Sequence, residues 1–454
     1  MRALIVAGMI AASCLAQDKE APPPLGSPKA FALPAADTFT LKNGMKVTLA
    51  QYGSVPLVSI RADMALGKAN EAADQVWLSN LTIQLMREGT QAMSAVQVAN
   101  EAARMGGQLQ VTPGTDQSSV SLDVLGEFAT DAVKLIADVV QHPKLPDSEL
   151  ERVRNDALRQ LAVQLATPQA QATQAFAGQL FPGHAYGRMF PTEGQLKGYG
   201  IEDLRKFYAG NVGAQRTHLY VVGRFDPAVK KAIEAAFESW PAGPPVKRTP
   251  PATMPKGQLI LIDRPDAVQS TLRMGLTIGI KPGDPDYLPM QVTNTLLGGS
   301  FTSRITNNIR EQKGYTYSPF SQVTSRYRTA YWQESADVTT KVTADSIHEI
   351  LYEIDRLRKD PPDTKELKGV QNYMGGIFVL QNTSNQGIIG QLSFVDLHGL
   401  KDDYLKTYVQ KVNSVTRQDV QRITESYLNP ARMTYVVVGD KAKIEESLKA
   451  YPPK

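Results

Sequence analysis

IEDLRKFYAGNVGAQRTHLYVVGRFD, residues 201 to 226, returns in outline as RQDVQRITESYLNPARMTYVVVGDKA, residues 417 to 442. Asp203, Arg216 and Val222-Gly223 of the first stretch reappear as Asp419, Arg432 and Val438-Gly439, every pair offset by 216 residues. Both read as a helical segment, then a strand ending in Val-Gly, then a short amphipathic helix over 227–239 or 441–450. Near the start of each half, VPLVSIRADMALG (55–67) and AVQSTLRMGLTIG (267–279) are comparable strands. Each precedes an apolar helix that ends in Gly89-Thr90 or Gly299-Ser300. Between the halves lies WPAGPPVKRTPPATMPK (240–256), with six prolines in seventeen residues. That density of proline cannot continue a helix or a central strand and reads as an extended linker. A shared order of elements at a shared offset is the mark of a duplicated unit.

Each unit mixes adjacent strands with long helices such as 91–105, 127–141 and 147–166, a pattern of the α+β class with helices on one face of a largely antiparallel sheet. FTLKNGMKVTLAQ opens the folded region as two short strands around an Asn43-Gly44 turn. The expected layout is a signal segment at 1–16, a flexible leader at 17–36, a first domain at 37–240, the linker at 241–256 and a second domain at 257–454. With 454 residues, 42% hydrophobic and 21% charged, the chain has the composition of a folded protein with room for two cores. Its 49 basic and 45 acidic residues are spread along the chain. No basic run suggests a nucleic-acid footprint. MRALIVAGMIAASCLA (1–16) has an early Arg2, an apolar stretch and small residues before Gln17, the pattern of a secretory signal. It is too short to serve as a transmembrane anchor. Periplasmic or secreted residence is therefore expected. Cys14, the single cysteine, lies inside this segment, and Ala11 disfavours lipid attachment there.

The order of these elements, with VSIRADMALGKANEA, REGTQAMSAVQVANEAARMGGQL (87–109), HAYGR (184–188) and GGSFTSRITNNIREQKGYTYS (298–318), resembles the insulinase-type (M16) zinc peptidases. That group includes pitrilysin and mitochondrial processing peptidase, and the resemblance runs over essentially the whole chain after the leader. It implies two homologous domains of the metallohydrolase fold of mitochondrial processing peptidase. Active members carry His-x-x-Glu-His on the helix before the Gly-Thr. Two histidines four residues apart share a helix face and one zinc ion, the glutamate acts as general base, and a distal carboxylate completes the ligands. Here the motif positions are Asn80, Ile83 and Gln84, and the distal position, 76 residues after Gln84, is Gln160. Neutral amides are weak zinc ligands and isoleucine takes no proton. The five histidines, His142, His184, His218, His348 and His398, include no helical pair. The expectation is no metal and no cofactor in this chain.

The resemblance also implies a role for what is kept. Arg310 and Tyr317 in IREQKGYTYSP match an arginine and a tyrosine of the family's C-terminal half, which in active relatives project toward the zinc site. A guanidinium and a phenol aimed at a scissile carbonyl stabilise the oxyanion formed there. Gly314 is expected to end the helix of Arg310 and put Tyr317 on the following strand. Some bacterial members split zinc and Arg/Tyr between two chains. This chain then reads as the non-catalytic half of a heterodimer, with zinc in a partner subunit and an unfolded peptide between them. The edge candidate for that peptide is GGQLQV (106–111). The alternative is an inert structural or peptide-binding scaffold, as the respiratory core proteins are. A serine nucleophile elbow is absent from the sequence.

Overall fold

The computed structural model describes residues 32–251, 257–401 and 403–451. The expected signal, with Cys14, and the last part of the proline-rich stretch lie outside those residues. In the first half β1 (Ala36–Thr40), β2 (Lys46–Gln51), β3 (Leu57–Met64), β4 (Gln110–Thr112), β5 (Ser118–Leu125) and β6 (Thr217–Gly223) form one sheet in the order β1-β2-β6-β3-β5-β4. In the second, β7 (Gln258–Asp263), β8 (Gln269–Thr277), β9 (Phe320–Arg326), β10 (Thr329–Thr339) and β11 (Thr434–Gly439) form another, ordered β7-β11-β8-β10-β9. Without β1 the two orders are the same. The parallel pairs β2/β6 and β7/β11 also correspond, and the other pairings are antiparallel. The repeat in the sequence is thus a repeat of topology.

The repeated residues have local jobs. Asp203 caps its helix by accepting from Gly200 N at 2.9 Å, and Asp419 accepts from Thr416 N at 3.0 Å. The buried Arg216 guanidinium donates to the carbonyls of Asn211, Pro245 and Ala65 at 2.6, 2.9 and 2.7 Å, tying the start of the proline-rich stretch to the first sheet. One helix begins later than its sequence suggests. Residues 89–94 close a turn through a Gly89–Ser94 bridge, and the helix runs only from Ala95 to Arg104 behind a Ser94 capping box.

Most helices cover one face of their own sheet, where two large apolar clusters form. The other face differs from the sequence expectation, because helices lie there too, and each comes from the opposite half. Pro168–Leu180 belongs to the first half yet packs Ala172, Phe176 and Leu180 against Val436 and Val438 of β11. Asn385–His398 belongs to the second half and packs Ile388 and Ile389 against Ala50, Tyr220 and Val222 of the first sheet. The physical reason is visible in β6 and β11, THLYVVG and TYVVVG, which are buried at every position and so need cover on both faces.

The seam around the second exchanged helix is also polar. Asp396 on that helix meets Lys46 Nζ at 2.7 Å and His218 Nδ1 at 3.2 Å, and His218 Nε2 lies 2.8 Å from Thr48 Oγ1. Ser393 donates to Asp63, which Arg61 pairs at 2.6 Å. Burial favours the neutral acid at Asp396, yet His218 and Lys46 outweigh it and hold the carboxyl at about 2.

Candidate functional site

Asn80, Ile83 and Gln84 lie on the helix Leu78–Met86, where the resemblance implies the zinc motif. Ile83 is fully buried in the first apolar cluster, while Asn80 and Gln84 are half-buried. Gln160 is exposed on the helix Asp147–Leu165. These side chains do not fit a zinc ion, since three amides and an aliphatic group provide neither charge nor a general base. Among the described residues no group of three or more His, Cys, Asp or Glu could hold a metal. The segment Gly106–Val111 leads into β4, which is the edge strand of the first sheet.

Arg310 and Tyr317 come together. The Arg310 guanidinium lies 4.8 Å from the centre of the Tyr317 ring and 4.5 Å from that of Phe301, so it is held between two aromatic faces. Both rings stand in solvent, Phe301 at 65% and Tyr317 at 80% exposure, and they leave the Arg310 side chain 24% exposed. Arg310 Nε also meets Glu311 at 3.1 Å. The helix that carries Arg310 is a π-helix, Thr306–Gln312, whose wider turn is frequent at functional sites. Gly314, at φ +63°, follows its end as expected. Tyr317 differs from the expectation. It sits in the loop before β9 and not on a strand, because β9 begins only at Phe320.

Phe301 received no such role from the sequence. It follows Gly298-Gly299, a turn whose glycines are required by contact: a Cβ at 298 would lie 2.5 Å from Ser321 Oγ, and one at 299 would lie 2.5 Å from Asn294 Nδ2. Beneath the turn, Asn294 Oδ1 accepts from Ser321 Oγ at 2.8 Å and from Trp332 Nε1 at 2.9 Å. Ser321 N donates to Gly298 O at 3.0 Å. Glu334 lies in the same layer, fully buried, and burial raises its carboxyl well above the usual range. A buried polar frame therefore fixes the turn, the turn fixes Phe301, and Phe301 lies over Arg310. The π-helix that aligns them has no periodic signature in the sequence.

Two similar α+β lobes, the first with Asn80, Ile83 and Gln84 on the helix Leu78–Met86, define the class: a two-lobed architecture of the zinc-peptidase type. The family model for insulinase (peptidase family M16) matches residues 46–190, and that for the peptidase M16 inactive domain matches residues 200–374. The chain belongs to the M16 peptidase family. An uncharacterized zinc protease YmxG from Bacillus subtilis is 24% identical over 410 residues, covering 86% of this chain and 96% of the relative. A non-peptidase homolog YmxG from Helicobacter pylori is 21% identical over 378 residues, covering 82% and 86%. The crystal structure of a peptidase M16 inactive domain from Pseudomonas fluorescens aligns with TM-score 0.81 at 23% identity, over 89% of this chain and 98% of that one. That of a protease from Helicobacter pylori aligns with TM-score 0.84 at 16% identity, over 90% and 100%. Among the described residues no helix is long and apolar enough to cross a membrane.

Proposed function

We propose that this chain is the non-catalytic subunit of a heteromeric zinc peptidase, contributing Arg310 and Tyr317 in trans to a zinc-bearing M16 subunit. The observation that carries the reading is the contrast between the two helices: the Leu78–Met86 positions are filled by Asn80, Ile83 and Gln84, while Arg310 is stacked between the exposed rings of Phe301 and Tyr317. Arg310 and the Tyr317 hydroxyl donate to the scissile carbonyl oxygen as it gains charge, and loss of one such donor costs about 10²–10³ in rate. The metal and the general base belong to the partner, and no step of that chemistry runs through this chain's own Asn80, Ile83, Gln84 or Gln160. An unfolded peptide would lie in the chamber between the two subunits, adding a strand to an edge such as β4. The apolar segment at 1–16 supports export to the periplasm or beyond.

The test is peptidase activity on a quenched unstructured peptide with this protein alone, a zinc-bearing M16 chain alone, and the two mixed, each with and without chelator. Chelator-sensitive activity confined to the mixture supports the proposal. Arg310→Ala and Tyr317→Phe should then lower turnover about 10²-fold with pairing intact. Unchanged turnover in both variants removes the role in trans. A stable complex with no gain in activity favours the second reading, an inert peptide-binding scaffold, which the loss of the zinc set equally permits.

A further inference from the structure

The π-helix Thr306–Gln312 needs a cause outside itself. Its wider turn is uncommon beside the α-helix and persists where surrounding contacts hold it. Lys313 N donates to Asn308 O at 3.1 Å, a bond across five residues and so the span of a π turn. Asn308 is buried, and its side chain is tied as firmly as its backbone. Its Nδ2 donates to Glu349 Oε2 and to Glu353 Oε1, both at 2.9 Å. These two glutamates stand four residues apart on the helix Thr343–Lys359 and share one of its faces. Carboxylates only accept, so the amide turns its NH₂ toward them and leaves its Oδ1 buried without a partner. An unpaired buried oxygen opposes folding, and the two donor bonds must outweigh it.

The segment is also tied at both ends. Before it, Arg304 Nε and Nη2 donate to the two oxygens of Glu366 on the helix Thr364–Gln381, each at 2.8 Å. After it, Lys313 Nζ meets Glu349 Oε1 at 2.9 Å. Arg356 Nη1 meets Glu353 Oε2 at 3.2 Å. Each glutamate thus has its counter-charge, and the pair serves as a tie between helices.

Arg310 lies two residues beyond Asn308, with its guanidinium between Phe301 and Tyr317. Relaxation of the wide turn to an α turn shifts the register by one residue and rotates the side chains beyond it by up to about 100°. Arg310 would then leave the space between the rings. We propose that Asn308, held by Glu349 and Glu353, is a positioning residue for Arg310: it locks the π turn and so fixes where the guanidinium points. The consequence for turnover rests on the proposed role of Arg310 in trans.

Two readouts separate the tie from that role. The first is the Arg310 Nε proton resonance of the full chain, assigned by its loss in Arg310→Lys and displaced in the wild type by the two rings. The second is kcat and KM of the mixture with a zinc-bearing M16 chain. Asn308→Ala and Glu349→Ala should each move the resonance toward that of a free arginine. Asn308→Asp should do the same, because a third carboxylate repels the pair, and adding Glu353→Gln should bring the resonance back by supplying a donor. Asp355→Ala removes a 2.8 Å ion pair with Lys359 elsewhere on the same helix and should leave the resonance in place. In the mixture Asn308→Ala should lower kcat by about tenfold or more with KM little changed, since a displacement of about 1 Å can cost about 10²-fold. Glu349 is half-buried, so Glu349→Ala keeps the test valid if Asn308→Ala fails to fold. An unmoved resonance in folded Asn308→Ala, or in Glu349→Ala where Asn308→Ala does not fold, overturns the proposal whatever the activity. A moved resonance with unchanged turnover supports the positioning and overturns the role of Arg310 in trans.

Discussion

Replacing Asp396 by asparagine removes one charge from the seam beneath the exchanged helix Asn385–His398 and changes almost nothing in shape. Its carboxyl is held at about 2 in the folded chain, against an ordinary 3.8. That difference is worth about 2 kcal/mol of stability at neutral pH. The sign follows from the direction. A carboxyl whose folded value is depressed stabilises the fold above its unfolded value, and the contribution is lost as pH falls through the folded value. Wild type and Asp396→Asn should therefore differ by about 2 kcal/mol in urea unfolding at pH 7, by about half of that at pH 3, and by little at pH 2. The partners are specific: Lys46 at 2.7 Å and His218 at 3.2 Å. A stability difference that stays the same from pH 7 to pH 3 would refute the argument, because it would mean that the asparagine acts through packing and not through charge.

Glu334 should behave in the opposite sense, since burial raises its carboxyl and the folded chain holds it neutral. Wild-type stability then falls as pH rises above the ordinary carboxyl range, and Glu334→Gln removes that slope and is at least as stable at pH 7; a loss of more than about 1 kcal/mol in urea unfolding would contradict the neutral form. Phe301→Ala should free the Arg310 guanidinium, seen as loss of the ring-current shift on its Nε proton, and lower turnover of the mixed peptidase, while Phe301→Tyr preserves both. A shift that persists in Phe301→Ala would show that Tyr317 alone holds Arg310. Rebuilding the motif as Asn80→His, Ile83→Glu and Gln84→His should give no tight zinc site by dialysis, because Gln160 still lacks a carboxylate and residue 83 points into the apolar cluster. Tight zinc uptake would show the register to be wrong.

The duplication was legible in the sequence because its marks are local: an aspartate that caps a helix and a strand that ends in Val-Gly, whereas the repeated arginine differs in setting, Arg216 being buried among carbonyls and Arg432 exposed. Arg310 and Tyr317 were legible through the family resemblance, and they do converge, although the loop before β9 and not a strand carries Tyr317. Phe301 was missed because its contact with Arg310 depends on the π-helix turn, and periodicity at 3.6 residues carries no trace of a wider turn. The exchange of the helices Pro168–Leu180 and Asn385–His398 has no counterpart in the sequence reading, which expects helices on one face of each sheet only. A cue existed in β6 and β11, whose runs of apolar residues lack the alternation of a sheet with one wet face. That cue says that cover is needed but not which helix provides it.

The crossing of Pro168–Leu180 and Asn385–His398 makes the molecule a tethered version of a domain-swapped pair, in which neither lobe is complete until the other exists. During synthesis Tyr220 and Val222 have no cover until residues 385–398 have been made, so the first lobe waits through most of the second. Such a chain resists division. Cut near residue 250 and produced as separate pieces, each lobe would carry a bare apolar sheet face and a stray apolar helix. The two should precipitate alone yet recover solubility when refolded together, much as the separated partners of an obligate dimer do.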